Sequence, residues 1–216
     1  MATRLAPAPA RTTIKDRQTV TAMSLASIRQ RPLSYATALE QRPLADIDLV
    51  VIHCTELPDL PAAREYGEVI YYPQSGTGHS GHFYVDRDGA IEQWVKLDRI
   101  AHHVRDFNSR SVGIELVNLG RYPNWHHSQQ QHMAEPYPAR QIEQLIHLLR
   151  QLQKQLPHLN RIAGHQDLDT ERIPATDQPE ELVCRKLDPG PQFPWVTVIQ
   201  ATELERIVAD AHPASV

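Results

Sequence analysis

After Asp48 the chain runs Leu49-Val50-Val51-Ile52 and then meets His53. An unbroken apolar, largely β-branched run does not alternate as a half-exposed strand does; it suits a strand buried on both faces. Such a strand needs a covering layer on each side, so the rest of the chain must supply helices. The periodicity meets that demand. Ile142, Leu145, Ile146, Leu149, Leu152 and Leu156 recur at three- and four-residue intervals, predicting an amphipathic helix over 139–156 that Pro157 ends. Shorter helices are expected over 61–72, with Pro58 or Pro61 near the start, and over 197–211. Strands are expected at 82–85 and 90–95, joined by a hairpin turn at Asp86-Arg87-Asp88-Gly89, and again at 111–117 and 161–164. The hairpin means the sheet is not purely parallel. The fold class that follows is α/β, a mixed central β-sheet flanked by helices. It forms a single domain over 46–216 behind an N-terminal extension, 1–45. That extension is rich in Ala, Pro, Arg and Thr, packs on the body in places, and carries a short helix near 21–29. Residues 118–138 and 166–185 read as long irregular stretches.

Composition narrows the function classes. With 41% apolar and 22% charged residues the chain has an ordinary globular make-up, and at 216 residues it can bury a core without metal or disulfide staples. A metal, if present, therefore serves chemistry. The net charge of −4 and the lack of a basic run argue against nucleic acid as a partner. No apolar stretch approaches the ~20 residues that span a bilayer. Residues 1–30 contain no signal-like apolar run, so the sequence reads as cytoplasmic; a signal peptide removed beforehand would make it periplasmic or exported. Oligomeric state is not legible in the pattern. The two cysteines, Cys54 and Cys184, make no disulfide framework and read as unpaired thiols.

Twelve histidines direct attention to metal chemistry. His53 ends the first strand, His165 follows Ile162-Ala163-Gly164, and Asp188 sits in Arg185-Lys186-Leu187-Asp188-Pro189-Gly190-Pro191. Two imidazoles and a carboxylate are the three protein ligands of a catalytic zinc, with the fourth position left for water. Spacing alone leaves open that each histidine is simply a hydrogen-bonded residue at a strand end. Glu115 interrupts Val112-Gly113-Ile114-Glu115-Leu116-Val117, where a buried carboxylate is costly unless compensated. It either faces a polar cleft or lies on the strand's outer face. In the first case it takes a proton from the zinc-bound water and returns it to the leaving amine. Lys186 either points into the same cleft, where its charge steadies an oxyanion, or is solvated.

The blocks Val51-Ile52-His53-Cys54-Thr55, Gly81-His82-Phe83-Tyr84-Val85-Asp86-Arg87-Asp88-Gly89, Ser111-Val112-Gly113-Ile114-Glu115-Leu116, Gly164-His165-Gln166-Asp167 and Arg185-Lys186-Leu187-Asp188-Pro189-Gly190-Pro191-Gln192-Phe193-Pro194-Trp195 occur in that order. Together they resemble the type 2 N-acetylmuramoyl-L-alanine amidases over about two-thirds of the chain. The resemblance implies a mixed sheet flanked by helices, shared with animal peptidoglycan recognition proteins. It also implies one zinc ion on His53, His165 and Asp188, Glu115 as acid/base and Lys186 at the oxyanion. The substrate would be peptidoglycan or a muropeptide, cut between N-acetylmuramic acid and L-alanine. His103, in Ile100-Ala101-His102-His103, is placed by the resemblance near the substrate, and Asn118 is a candidate wall-peptide or sugar contact. The sequence departs from compact members in the length of 166–185 and in 120–138, where Trp125 either stacks on a sugar or packs.

Two other classes stand against this reading. A module of the same fold can bind peptidoglycan without cutting it; the competent side chains at all five positions separate the two. Gly78-His79-Ser80-Gly81-His82 lacks the final glycine of a nucleophile elbow, and no His-Glu-x-x-His helix occurs. Cys54 beside His53 tempts a thiol mechanism, but neighbouring strand residues point to opposite faces, which sends Cys54 into the core.

Overall fold

The structure, a computed structural model, describes residues 28–208. In chain order the elements are β1 (Arg29–Gln30), β2 (Leu49–Cys54), α1 (Leu60–Gly67), β3 (Phe83–Val85), β4 (Ile91–Gln93), β5 (Ser111–Leu116), α2 (Ala139–Gln155), β6 (Arg161–Gly164), α3 (His165–Leu168), β7 (Arg172–Pro174), β8 (Leu182–Cys184), α4 (Trp195–Thr202) and β9 (Glu205–Arg206). Among the described residues the main sheet has seven strands in the order β1-β4-β3-β5-β2-β6-β9. Only the β3–β4 hairpin is antiparallel within it. Its turn closes with the Asp86 carbonyl accepting from Gly89 N–H, at a glycine whose φ of 87° side chains avoid. The expected mixed sheet flanked by helices is the one observed.

The β2 run lies near the middle of this sheet, paired in parallel with β5 on one side and β6 on the other. All its apolar side chains are buried, and its alternation divides the molecule. Val50, Ile52 and Cys54 join Val112, Ile114, Leu116 and Ile162 against Leu145, Leu148, Leu149 and Leu152 of α2 and Val198 of α4. Leu49 and Val51 face the other way, with Val104 and Ala163. Helix α2 is fixed to the sheet by more than its apolar stripe: Gln141, fully buried, donates from Nε2 to the carbonyls of Val85 and Val117 at 2.9 and 3.0 Å. The Val85 carbonyl also accepts from Val117 N–H at 3.0 Å, so the Gln141 amide adds a second donor to it and joins it to the Val117 carbonyl where β3 and β5 stop pairing.

Several boundaries differ from expectation for local reasons. Helix α1 starts where the Asp59 carboxylate caps Ala62 N–H at 2.8 Å, but it ends at Gly67 rather than Tyr72. Gly67 lies against the Trp94 ring, where a Cβ would be 3.1 Å from the indole, and Tyr71 and Tyr72 instead donate to the Thr77 carbonyl in a turn. Helix α4 begins at Trp195 and stops at Thr202, because Glu203 takes a left-handed conformation (φ 58°) and Glu205–Arg206 then pair with β6 as an edge strand. The expected helix over 197–211 is thus cut short, its last residues lying outside the described range. The expected helix over 21–29 also falls outside it, except that Arg29 is in β1. The stretch 166–185 is not irregular throughout: it contains α3 and the antiparallel hairpin of β7 with β8.

Residues 28–45 are built into the body. β1 pairs with β4, and Leu33, Tyr35 and Leu39 pack with Tyr84, Trp94 and Ala63. Arg42 is buried and serves as a carbonyl clamp, donating to Leu97 and Asn108 at 2.9 Å, Ser109 at 3.2 Å and Ser111 at 2.7 Å. A buried carbonyl left without a donor costs about 1–3 kcal/mol. Arg42→Leu should therefore lower the unfolding free energy by at least about 3 kcal/mol in urea denaturation; a loss below about 1 kcal/mol would mean that water replaces the guanidinium.

Candidate metal centre

In parallel strands held in register, residues at one level point to the same face and end at the same edge of the sheet. His53 of β2 is the register partner of Glu115 of β5, and Ile52 is the partner of Gly164, which immediately precedes His165. The sheet therefore delivers two histidines and a glutamate to the carboxyl ends of adjacent strands, the usual place for a ligand crevice in an open α/β sheet. Asp188 arrives from the loop after β8. Its Oδ2 lies 2.9 Å from His53 Nδ1 and 3.2 Å from His165 Nδ1, and the two rings meet edge to face with centroids 4.6 Å apart.

All three groups are buried, at 2%, 4% and 3% exposure. Burial opposes the charge on Asp188, yet the imidazoles of His165 and His53 outweigh it and hold the carboxyl well below its ordinary range. Burial likewise lowers His165, with Asp188 pulling it back. Two buried polar atoms are left over, Asp188 Oδ1 and His165 Nε2. One ligand atom from each of the three residues fits within a span of 4.8 Å. Ligand atoms around a tetrahedral zinc at about 2.1 Å stand about 3.4 Å apart. The observed imidazole–carboxylate separations of 2.9 and 3.2 Å are close to that spacing. The donor set and its geometry fit zinc.

These residues form the floor of a cleft of about 580 Å³. Glu115 lies in it, half-buried, and burial pushes its carboxyl above the usual range; Asp188 adds to the rise while His53 and Lys186 oppose it. The Glu115 side chain is crossed closely by the loop ahead of β3, and a Cβ on Gly81 would come within 2.9 Å of its Cγ. Lys186 lines the same cleft, two residues before Asp188. The metal set, Glu115 and Lys186 are thus brought together from four separate segments.

The histidine pair divides its work. His102 lines the cleft against Tyr72, with ring centroids 5.1 Å apart. His103 also reaches the cleft, but its Nδ1 lies 3.0 Å from His53 Nε2, and burial keeps its ring uncharged, far below the ordinary histidine range. Asn118 is not brought to the cleft. Its Nδ2 donates to the Glu135 carbonyl and its Oδ1 accepts from Gly120 N–H, so the amide is spent inside the following turn. Cys54 faces the α2 side in the core, burial raises its thiol well above the ordinary value, and both cysteines are free.

One cluster escaped sequence reasoning. Glu56, in a left-handed conformation (φ 49°), pairs in bidentate fashion with the buried Arg121 at 2.7 and 2.9 Å. Arg121 also donates to the carbonyls of Cys184 and Arg185, and Trp125 donates from Nε1 to the Glu56 carbonyl. The pair thereby ties 120–138 to the segment carrying Lys186, and Trp125, held at the cleft wall, is a packed residue with one face on the cavity. Nothing in the local sequence marks Glu56 or Arg121 as partners; they are 65 residues apart.

The sequence profile described as N-acetylmuramoyl-L-alanine amidase matches residues 43–191. No curated protein matches the chain in sequence. Among known structures, the N-acetylmuramoyl-L-alanine amidase LysC from Clostridium intestinale URNW is similar over 82% of this chain and 98% of its own, at 20% identity and a TM-score of 0.59. An AmpD structure, a Se-Met derivative, aligns over 82% of this chain and 95% of its own, at 24% identity and TM-score 0.57. The E. coli N-acetylmuramyl-L-alanine amidase AmiD, in complex with anhydro-N-acetylmuramic acid-L-Ala-D-gamma-Glu-L-Lys, aligns over 76% of this chain and 59% of its own, at 24% identity and TM-score 0.55. At these identities the likeness is one of fold.

Breaking one side of a buried ion pair costs about 3–5 kcal/mol. Arg121→Met should lose about that much stability by urea denaturation, and Glu56→Gln combined with it should lose less than the sum of the two single changes.

Proposed function

The chain belongs to the N-acetylmuramoyl-L-alanine amidase family, and on that premise we propose that His53, His165 and Asp188 hold one zinc ion for its reaction. That reaction is hydrolysis of the amide between N-acetylmuramic acid and L-alanine in peptidoglycan or its fragments. The observation that carries the proposal is the convergence of two buried imidazoles on one carboxylate, with a ligand-sized span and unpartnered atoms left over.

A zinc ion bound there supplies Lewis acidity, lowering the pKa of water and polarising the scissile carbonyl. Glu115 takes the proton of the attacking water and later delivers it to the amine of L-alanine. Burial raises the Glu115 carboxyl, which makes it a better base toward the attacking water and lets it keep that proton until the leaving amine takes it. The Lys186 ammonium faces the negative charge that develops on the carbonyl oxygen, in a cleft where water screens it less than on the surface. Tyr66, Tyr72 and Trp125 give the wall apolar area for the sugar and stem peptide. His102, which lines the cleft and is not engaged by His53, is a further candidate for a substrate contact, and Asn118 acts through the turn it holds.

We place the activity on soluble muropeptides. No helix among the described residues is long and apolar enough to cross a membrane, and the AmiD complex holds a fragment of this kind in the same fold. A non-catalytic module would share that fold, but Glu115 and Lys186 beside the metal set favour turnover.

Mass spectrometry of purified muropeptides should show release of the intact stem peptide, abolished by a chelator and restored by zinc. Glu115→Gln should bind one zinc and leave the substrate uncut. Lys186→Ala should lower kcat about 10²–10³-fold. Cleavage that survives complete metal removal would overturn the zinc assignment; a zinc-loaded wild type that binds muropeptide without cutting it would leave the binding module.

A further inference from the structure

We infer that His103 is a positioning residue: through a hydrogen-bond relay ending on the Phe107 carbonyl, it sets which nitrogen of His53 offers a lone pair to the metal. The inference rests on the zinc reading above and concerns how this chain orients one ligand. A histidine coordinates through a bare nitrogen, and its other ring N–H needs an acceptor that fixes the ring and its tautomer; a carboxylate, a carbonyl or water usually serves. Here the acceptor is a second imidazole.

The direction of every bond can be worked out from the far end. The Phe107 carbonyl can only accept, and Ser111 Oγ stands 2.8 Å from it, so the hydroxyl hydrogen is spent there. A lone pair of Ser111 Oγ then faces His103 Nε2 at 3.3 Å, and that nitrogen must carry a hydrogen. In an uncharged ring the remaining nitrogen, Nδ1, is bare. It lies 3.0 Å from His53 Nε2, which therefore carries the N–H of that contact. His53 Nδ1 is left with a lone pair, and it is the atom that faces Asp188 at 2.9 Å. Reversing the relay would turn the serine hydroxyl from its 2.8 Å carbonyl to a ring nitrogen at 3.3 Å. It would also put a hydrogen on His53 Nδ1, where only an ion-free site can accept one.

The seat of the His103 ring is specific. Its backbone N–H and that of Val104 both donate to Asn108 Oδ1, at 3.0 and 2.8 Å. The ring lies flat on Gly113, where a Cβ would come within 2.6 Å of it. Ser111, Gly113 and Glu115 alternate along one face of β5. The same strand face thus supplies the relay's end, the ring's seat and the acid/base.

The test compares zinc affinity, by chelator competition, in the wild type, His103→Asn and His103→Leu. Asparagine offers an amide oxygen near the position of Nδ1; leucine keeps the bulk and offers no acceptor. Loss of such an outer partner costs about 10–100-fold in metal affinity, so His103→Leu should bind zinc about that much more weakly while His103→Asn recovers most of it. A ring needed only for packing would give the opposite order. Long-range proton–nitrogen NMR of the zinc-loaded wild type should find the proton of both His53 and His103 on Nε2. Unchanged affinity in His103→Leu, or a proton on Nδ1 of His103 in the loaded protein, would overturn the relay and leave the zinc site standing. A wild type that takes up no zinc would remove both.

Discussion

A carboxylate almost wholly withdrawn from water cannot stay charged alone, and Asp188 stays charged because two imidazoles share one of its oxygens. The rest of the site follows from that arrangement. Each imidazole is then committed on one side and must be satisfied on the other. For His53 the second partner is His103, itself seated on a strand glycine. The leftover oxygen of Asp188 and nitrogen of His165 have no protein partner among the described residues. Buried polar atoms of that kind are tolerated where a ligand completes them. The donor set of the site fits a cation, and the strand register decides where one would stand.

The central strand gives the site its rigidity by having two committed faces. Its even-numbered side chains are packed under α2 and α4, while on the other face Leu49 and Val51 pack with Val104 and Ala163 and His53 enters the cleft. Cys54 and His53 are neighbours in the chain and yet serve opposite layers, one as core filler and the other in the cleft. β5 repeats the scheme with Ile114 in the core and Glu115 in the cleft. A slip of one residue in either strand would exchange those roles, and burial of the apolar set forbids it.

Around this frame the walls are held by polar devices. Arg42 gathers the carbonyls of the loop before β5, and the Glu56–Arg121 pair binds 120–138 to the strand that ends at Cys184. Arg185 is itself paired with Asp169 and Glu171, which fixes the segment leading to Lys186 and Asp188 from its other side. Long connections bordering a catalytic cleft need such ties, because they lack a ladder of their own.

The sequence by itself determined the layers: the unbroken apolar run of β2, the three- and four-residue spacing of α2, and the hairpin at Asp88-Gly89 are local patterns set by the geometry of helix and strand. It also pointed to His53, Glu115, His165, Lys186 and Asp188, through blocks that resemble a family rather than through spacing. Only the tertiary structure decided that His53 Nδ1 and Asp188 Oδ2, 135 residues apart in the chain, stand 2.9 Å from each other. It also set His103 Nδ1 against His53 Nε2, turned the Asn118 amide inward, and ended α4 at Glu203 to make an edge strand. Secondary structure is encoded in neighbours along the chain, whereas the partner of a buried polar atom is chosen by what folding brings beside it, and no local periodicity records that choice.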